Sequence, residues 1–307
     1  MTLSNLSQPP FNCSLLGVAW GAAQYYNLDH SRGMLYGGSG HAFLINIHRE
    51  LCPSGPYVWN HEPFYALARN LGFAITELGF VDQESDAEAR AELEHAITTR
   101  LEEGVVCGII NLDHQLVLGH DEGGLMLAQP WGENADTTPS RLSFSTWVEY
   151  GEELHAGAYE IRAIPQAAPR ETVIRSLAFA IGLWEHPDRY AFEHYAIGPA
   201  AYDKWIAAVE AGHGADHGAW WNATVWSECR DAAKEYLREI ARHFPHVKTE
   251  AHELSGRYGT IAEKLHAAGE RALAVDEKQT LLADARDLEA DSVALLRTIR
   301  EALASAT

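Results

Sequence analysis

The spacing of hydrophobic residues changes near the middle of the chain. Before residues 165–169, short apolar runs alternate with turns that contain Gly, Pro and Asn. After them, the chain is rich in Ala, Glu and Arg, and its apolar residues recur at helical spacing. This change predicts a first domain over residues 1–168 and a helical second domain over residues 169–307.

In the first region, predicted helices come before a series of predicted strands. A helix is expected from Cys13 to about Gln24, another after Pro63, and a third from a capping box at residues 85–88. Strand propensity marks residues 42–47, 105–110, 115–118, 125–128 and 158–164. Helices followed by consecutive strands indicate an α+β fold with an antiparallel sheet packed on helices, not a doubly wound sheet.

In the second region, helices are expected near residues 171–184, 200–211, 227–244 and 254–304. The two apolar seams of the last segment are out of register by one residue between Val275 and Leu281. An antiparallel hairpin and a single continuous helix both remain open there. The seams also leave a homodimer open, because they can close a bundle within one chain or between two.

Charge and composition exclude several classes of partner. The chain has 307 residues, of which 43 are acidic and 23 are basic, so its formal charge is −20 and nucleic-acid binding is not expected. No apolar run reaches the roughly 18 residues of a membrane span, and the N-terminus lacks the pattern of a signal peptide. Four widely spaced cysteines favour reduced thiols in a cytoplasmic protein. They are Cys13, Cys52, Cys107 and Cys229.

Cys13 is the leading candidate for chemistry. It opens the first predicted helix, where unpaired backbone N–H groups and the helix dipole stabilise an anion. A thiol in that position is expected to have a lowered pKa, as a nucleophile requires. Gln8, five residues upstream, is placed to donate to an oxyanion together with the backbone N–H of Cys13. The alternative is that Cys13 is a small buried apolar residue.

A thiolate nucleophile needs an imidazole that can take up and return its proton. His114 precedes a predicted strand, and the next hairpin ends at Gln129, whose amide oxygen is expected to orient the His114 ring. His41 competes as the base, because it follows Gly40 in a glycine-rich turn that allows close approach to a ligand or to Cys13. Gly40 and His41 are therefore candidate substrate-binding residues.

A metal site is considered at His213, Asp216 and His217 and is not favoured. The spacing suits one face of a helix, but three neighbouring glycines argue for a loop beside Trp220 and Trp221 that covers a cleft. Neither a metal nor an organic cofactor is expected.

Taken together, these residues resemble the papain-like cysteine enzymes. The Cys13–Ala19 segment, the Leu35–Phe43 segment, and His114 with Gly119–Asp121 are similar to the N-terminal domain of butirosin biosynthesis protein H and to bacteriocin-processing peptidases. The similarity covers about residues 8–165. Gln129-Pro130 stands where those peptidases carry Asp-Pro.

The resemblance implies an enzyme with a papain-like fold, which hydrolyses an amide or transfers an acyl group through a thioester on Cys13. The substrate would be a small molecule or peptide-like compound, including a carrier-protein-bound acyl donor. The alternative hypothesis is a catalytically silent protein that binds a small molecule or a partner between its two domains.

Overall fold

The computed structural model describes residues 1–129 and 138–305 and confirms an α+β fold with a helical C-terminal region. The chain divides into two compact units. Unit 1 comprises residues 1–30 and 72–166, and unit 2 comprises residues 31–71 and 167–307. The sequence predicted one contiguous domain up to residue 168, whereas residues 31–71 belong to unit 2 because they pack on its helices.

The α-helices lie in both units. In chain order they are α1 (Ser14–Tyr25), α2 (Arg32–Gly38), α3 (Glu62–Ala68), α4 (Ala87–Glu102), α5 (Pro169–Glu185), α6 (Pro199–Glu210), α7 (His217–His243), α8 (Lys248–Ala268) and α9 (Val275–Ser305). None of the helices in the described part of the chain is both long and apolar enough to cross a membrane.

The strands form one large antiparallel sheet and one small one. In chain order they are β1 (Asn46–His48), β2 (Phe73–Asp82), β3 (Val106–Asn111), β4 (Asp113–His120), β5 (Gly124–Leu127), β6 (Ser140–Ser143), β7 (His155–Ala163) and β8 (Tyr195–Ile197). Among the described residues, the large sheet of unit 1 has the order β2-β7-β3-β4-β5-β6. Strands β3, β4, β5 and β6 pair in chain order, and β7 lies between β2 and β3. In unit 2, β1 pairs with β8.

Helix α1 packs on β4 of the unit 1 sheet. Its contact with the sheet requires a residue without a side chain at Gly21, because a Cβ there would lie 2.4 Å from Cδ1 of Leu116 in β4. The apolar side of α1 and the buried residues of β3 and β4 therefore share one core. This packing positions the first turn of α1 beside the start of β4.

Unit 2 is built mainly from helices. Helix α2 crosses α7 at close range. A Cβ at Gly33 would lie 2.8 Å from the backbone nitrogen of Tyr236, and one at Gly37 would overlap the Tyr236 ring, so both positions require glycine. Of the two alternatives for residues 254–304, the structure has the antiparallel helical hairpin, in which α8 ends at Ala268 and α9 begins at Val275. Lys264 and Asp284 form a 2.7 Å ion pair across it.

Several local predictions are wrong in detail. The glycine-rich turn predicted before His41 is partly helical, because α2 extends to Gly38. The strand expected over residues 42–47 is limited to β1. The cap of α4 is Asp86, which accepts a hydrogen bond from the Ala89 amide, while the Ser85 hydroxyl donates to Asp82. The loop predicted around residues 213–217 contains a short 3₁₀ helix, His213–Ala215, and α7 begins at His217, so that Trp220 and Trp221 lie at the start of α7.

Candidate active site

Cys13 occupies the N-cap position of α1, one residue before the helix begins at Ser14. Its carbonyl accepts hydrogen bonds from the backbone amides of Leu16 and Gly17, at 3.0 and 3.1 Å. The Cys13 side chain makes no hydrogen bond that caps the helix. A negative charge at a helix start is stabilised by the N–H groups of the first turn. Only 3% of Cys13 is exposed. The thiol is therefore buried in the place expected for a nucleophile.

Ser14 joins the start of α1 to the start of β4. Its hydroxyl donates to Oδ1 of Asp113 at 2.9 Å and accepts from the backbone N–H of His114 at 3.0 Å. Ser14 and His114 are both buried. Because Cys13 is bonded to Ser14, these two hydrogen bonds bring the backbone of the predicted nucleophile close to that of the predicted base. Sequence analysis did not identify Ser14 or Asp113.

Gln8 is held at the same place by backbone groups of β4. Its Nε2 donates to the His114 carbonyl at 2.8 Å and more weakly to the Ser14 carbonyl at 3.4 Å, and its Oε1 accepts from the Leu116 amide at 2.8 Å. Both N–H groups of the amide are therefore directed at carbonyl oxygens. The expected donation to an oxyanion would require the release of one of these bonds, and the longer bond to Ser14 is the weaker.

The imidazole of His114 contacts a tyrosine from a different strand. Its Nδ1 lies 2.9 Å from the Tyr159 hydroxyl, and the two ring centroids are 5.7 Å apart. The expected partner of the ring, Gln129, donates instead to the hydroxyl of Ser140. Gln129 is the last described residue before the gap, and Pro130 lies outside the described residues. Tyr159 is the ring partner that sequence analysis missed, because the contact depends on strand order.

Gly40 and His41 lie in unit 2. Gly40 has a φ of +78°, and a Cβ there would lie 2.3 Å from the Phe179 ring, so both its conformation and its surroundings require glycine. His41 is buried, and its Nδ1 is 3.5 Å from Sγ of Cys229. Its ring stacks on Trp226 at a centroid distance of 6.0 Å. Within unit 2, His41 is therefore a core histidine paired with a thiol.

Cys107 shows what burial does to a thiol in the middle of a strand. It lies in β3 of unit 1, and desolvation raises its pKa to about 12. The Glu160 carboxylate contributes in the same direction. Cys107 is therefore a non-nucleophilic thiol at neutral pH and an internal reference for Cys13.

The histidines considered for a metal site have ordinary contacts. Nδ1 of His213 lies 3.0 Å from Oδ2 of Asp216 in an exposed pair. His217 begins α7, and its ring packs on Trp220 at 5.3 Å.

The chain was compared with known families and proteins. No family model matches it, and no curated protein is found as a relative.

Proposed function

We propose that unit 1 is a papain-like cysteine enzyme domain that hydrolyses an amide or transfers an acyl group through a thioester on Cys13. The observation that carries this proposal is the Ser14 hydroxyl, which bonds to both Asp113 and the His114 backbone and so ties the start of α1, where Cys13 lies, to the start of β4. A cysteine at a helix start and a histidine on the adjacent strand are the two groups that nucleophilic thiol chemistry requires.

In the proposed reaction, the sulfur of Cys13 attacks the substrate carbonyl carbon while His114 removes the thiol proton. The C=O π electrons move to oxygen, and the resulting oxyanion is bound by the Cys13 backbone N–H and by Gln8 once its bond to Ser14 is released. The C–N bond then breaks, and His114 delivers its proton to the departing amine. A thioester remains on Cys13.

The second half of the reaction regenerates the thiol. Water or an acceptor amine attacks the thioester carbonyl, and His114 takes a proton from the attacking group. The C–S bond breaks and the sulfur recovers that proton from His114. Water gives hydrolysis and an amine gives acyl transfer. The substrate class proposed is a small or peptide-like amide, including an acyl group carried by another protein.

A catalytically silent binding protein is the second candidate. The burial of Cys13, with 3% exposed, favours it, because a substrate carbonyl must reach the sulfur. The engagement of both Gln8 N–H groups by carbonyls favours it as well.

Site-resolved alkylation distinguishes these functions. The full chain is treated with iodoacetamide between pH 5 and pH 10, and modification of each cysteine is measured by peptide mass spectrometry. We expect Cys13 to react with an apparent pKa below the ordinary thiol value of about 8.5 and faster than Cys107 in the same sample. His114→Ala should abolish the enhanced reactivity, and His41→Ala should preserve it.

Two results would refute this assignment. A Cys13 as inert as Cys107 in folded wild-type protein would support the silent alternative. Enhanced reactivity that survives His114→Ala but is lost in His41→Ala would transfer the base role to His41. Circular dichroism and the melting temperature of each variant show whether the fold is retained.

A further inference from the structure

The contact between Tyr159 and His114 spans a strand that lies between them. Tyr159 in β7 pairs with Gly108 in β3, and Gly108 pairs in turn with Leu116 in β4. His114 is two residues before Leu116 and therefore lies on the same face of the sheet. Leu116 contacts α1 beside Gly21, so this is the face that carries the helix begun by Cys13.

Gly108 provides the space for this contact. A Cβ at that position would lie 2.5 Å from Cζ of Tyr159 and 2.6 Å from its hydroxyl oxygen. The tyrosine ring therefore lies across the central strand over a residue that has no side chain. Its hydroxyl reaches Nδ1 of His114 at 2.9 Å, and both residues are buried. Strand order, register and one glycine together direct this phenol at one ring nitrogen.

We propose that Tyr159 is a positioning residue that fixes the tautomer of His114. In this arrangement Nδ1–H donates to the Tyr159 oxygen, and the lone pair of Nε2 is the basic site. The inference rests on the proposed function, because only this tautomer lets the neutral ring accept a proton through Nε2. The opposite tautomer would accept the tyrosine proton at Nδ1 and would carry a hydrogen on Nε2.

The proposed partner differs from the carboxylate or amide that usually orients a catalytic imidazole. A phenol is neutral at physiological pH, so it directs the ring without forming an ion pair with the imidazolium. The tyrosine would therefore determine which nitrogen acts as the base. Loss of its hydroxyl should change the tautomer ratio and the reactivity of Cys13, while the ring remains packed.

The test combines histidine NMR with alkylation kinetics in the full chain. Protein labelled with 15N-histidine is prepared as wild type, Tyr159→Phe and Tyr26→Phe, and the His114 signals are assigned by their absence in His114→Ala. We expect Nδ1 of His114 to carry the proton in wild type, and Tyr159→Phe to move protonation toward Nε2. The alkylation rate of Cys13 at pH 7 should fall at least about tenfold in Tyr159→Phe.

Tyr26→Phe is the matched control. The Tyr26 hydroxyl also bridges β3 and β7, donating to the Ile161 carbonyl at 2.7 Å and accepting from the Val106 amide at 3.1 Å. Its loss removes two hydrogen bonds from the same sheet without touching His114. Stability should decrease, but the His114 tautomer and the Cys13 rate should stay at wild-type values.

The outcomes separate this inference from the function on which it rests. The role of Tyr159 would be overturned if the His114 ring of wild-type protein carried its proton on Nε2. It would also be overturned if Tyr159→Phe left both the His114 tautomer and the alkylation rate of Cys13 unchanged. An inert Cys13 in wild-type protein would overturn the enzymatic function, while the nitrogen shifts would still decide whether Tyr159 sets the tautomer. Equal effects of Tyr159→Phe and Tyr26→Phe would reduce Tyr159 to a structural residue and also refute the inference.

Discussion

Each unit buries a polar network, and the two networks differ in charge and in what lies next to them. In unit 1, hydroxyl, amide and imidazole groups connect Ser14, His114 and Tyr159 at the start of a helix, beside a thiol. In unit 2, the guanidinium of Arg230 is enclosed with the carboxylate of Glu289, with 0% and 1% of their side chains exposed.

The two members of the unit 2 pair are also bonded to neighbouring groups. Arg230 also donates to the carbonyls of Leu44 and Ala42, and Glu289 accepts from the Tyr202 hydroxyl at 2.9 Å. Burial by itself lowers the pKa of Arg230, but the Glu289 carboxylate outweighs it and the net pKa is raised. These charges join residues 42–44 to α7 and α9.

The difference shows that burial of a polar group does not by itself indicate a functional site. A buried ion pair inside a helical unit contributes to structure when its members are bonded to each other and to neighbouring groups. The unit 1 network lies at the start of a helix and the start of a strand, next to a thiol, which is where the proposed chemistry would take place.

The largest effect is expected from breaking the unit 2 pair. Arg230→Met leaves the Glu289 carboxylate buried without its counter-charge, so the free energy of unfolding should fall by about 3–5 kcal/mol. Urea denaturation measures this. The double variant Arg230→Met with Glu289→Leu should recover much of the loss, because no unpaired charge remains. A single variant within about 1 kcal/mol of wild type would show that this network is not structural.

A smaller effect is expected at Gly108, where the Tyr159 ring passes over strand β3. Gly108→Ala places a Cβ against the Tyr159 ring and should cost about 2 kcal/mol of unfolding free energy through overpacking. Gly157→Ala is the control in the neighbouring strand, since its Cβ would meet Ile110 at 3.4 Å and Phe80 at 3.9 Å, which are ordinary contacts. Thermal or urea unfolding should place Gly157→Ala within about 0.5 kcal/mol of wild type. Equal losses of unfolding free energy in the two variants would argue against close packing of the Tyr159 ring on Gly108.

The smallest effect is a pH dependence in unit 2. Burial, followed by the charge of His41, lowers the pKa of His61 to about 4. The unfolded chain takes up this proton near pH 6.5, so the folded state loses stability as the pH falls from about 6.5 toward 4. We expect about 1–2 kcal/mol of the stability lost between pH 7 and pH 4 to come from His61.

His61→Phe tests this by removing the titrating ring while keeping an aromatic side chain beside Trp59. Urea unfolding at pH 7 and at pH 4 should show a smaller acid-induced loss for the variant than for wild type. Identical pH dependence in both proteins would mean that His61 does not titrate differently in the folded and unfolded states.

Local sequence patterns determined much of the secondary structure. The 3.6-residue period predicted the helices from residue 169 onward, because an amphipathic helix must bury one face whatever its partner. Alternating apolar runs and turns predicted the strands at residues 105–128, which pair with their sequence neighbours. The placement of Cys13 at a helix start and of His114 at a strand start was visible for the same reason.

Only tertiary structure decided which distant residues meet. Strand β7 lies between β2 and β3, and this order, with its register and the space at Gly108, sets Tyr159 within reach of His114. The transfer of residues 31–71 to unit 2 likewise depends on close packing between α2 and α7. Sequence periodicity reports which face of an element is buried. It does not report the element that covers that face, because contacts between distant segments follow from the packing of the whole unit.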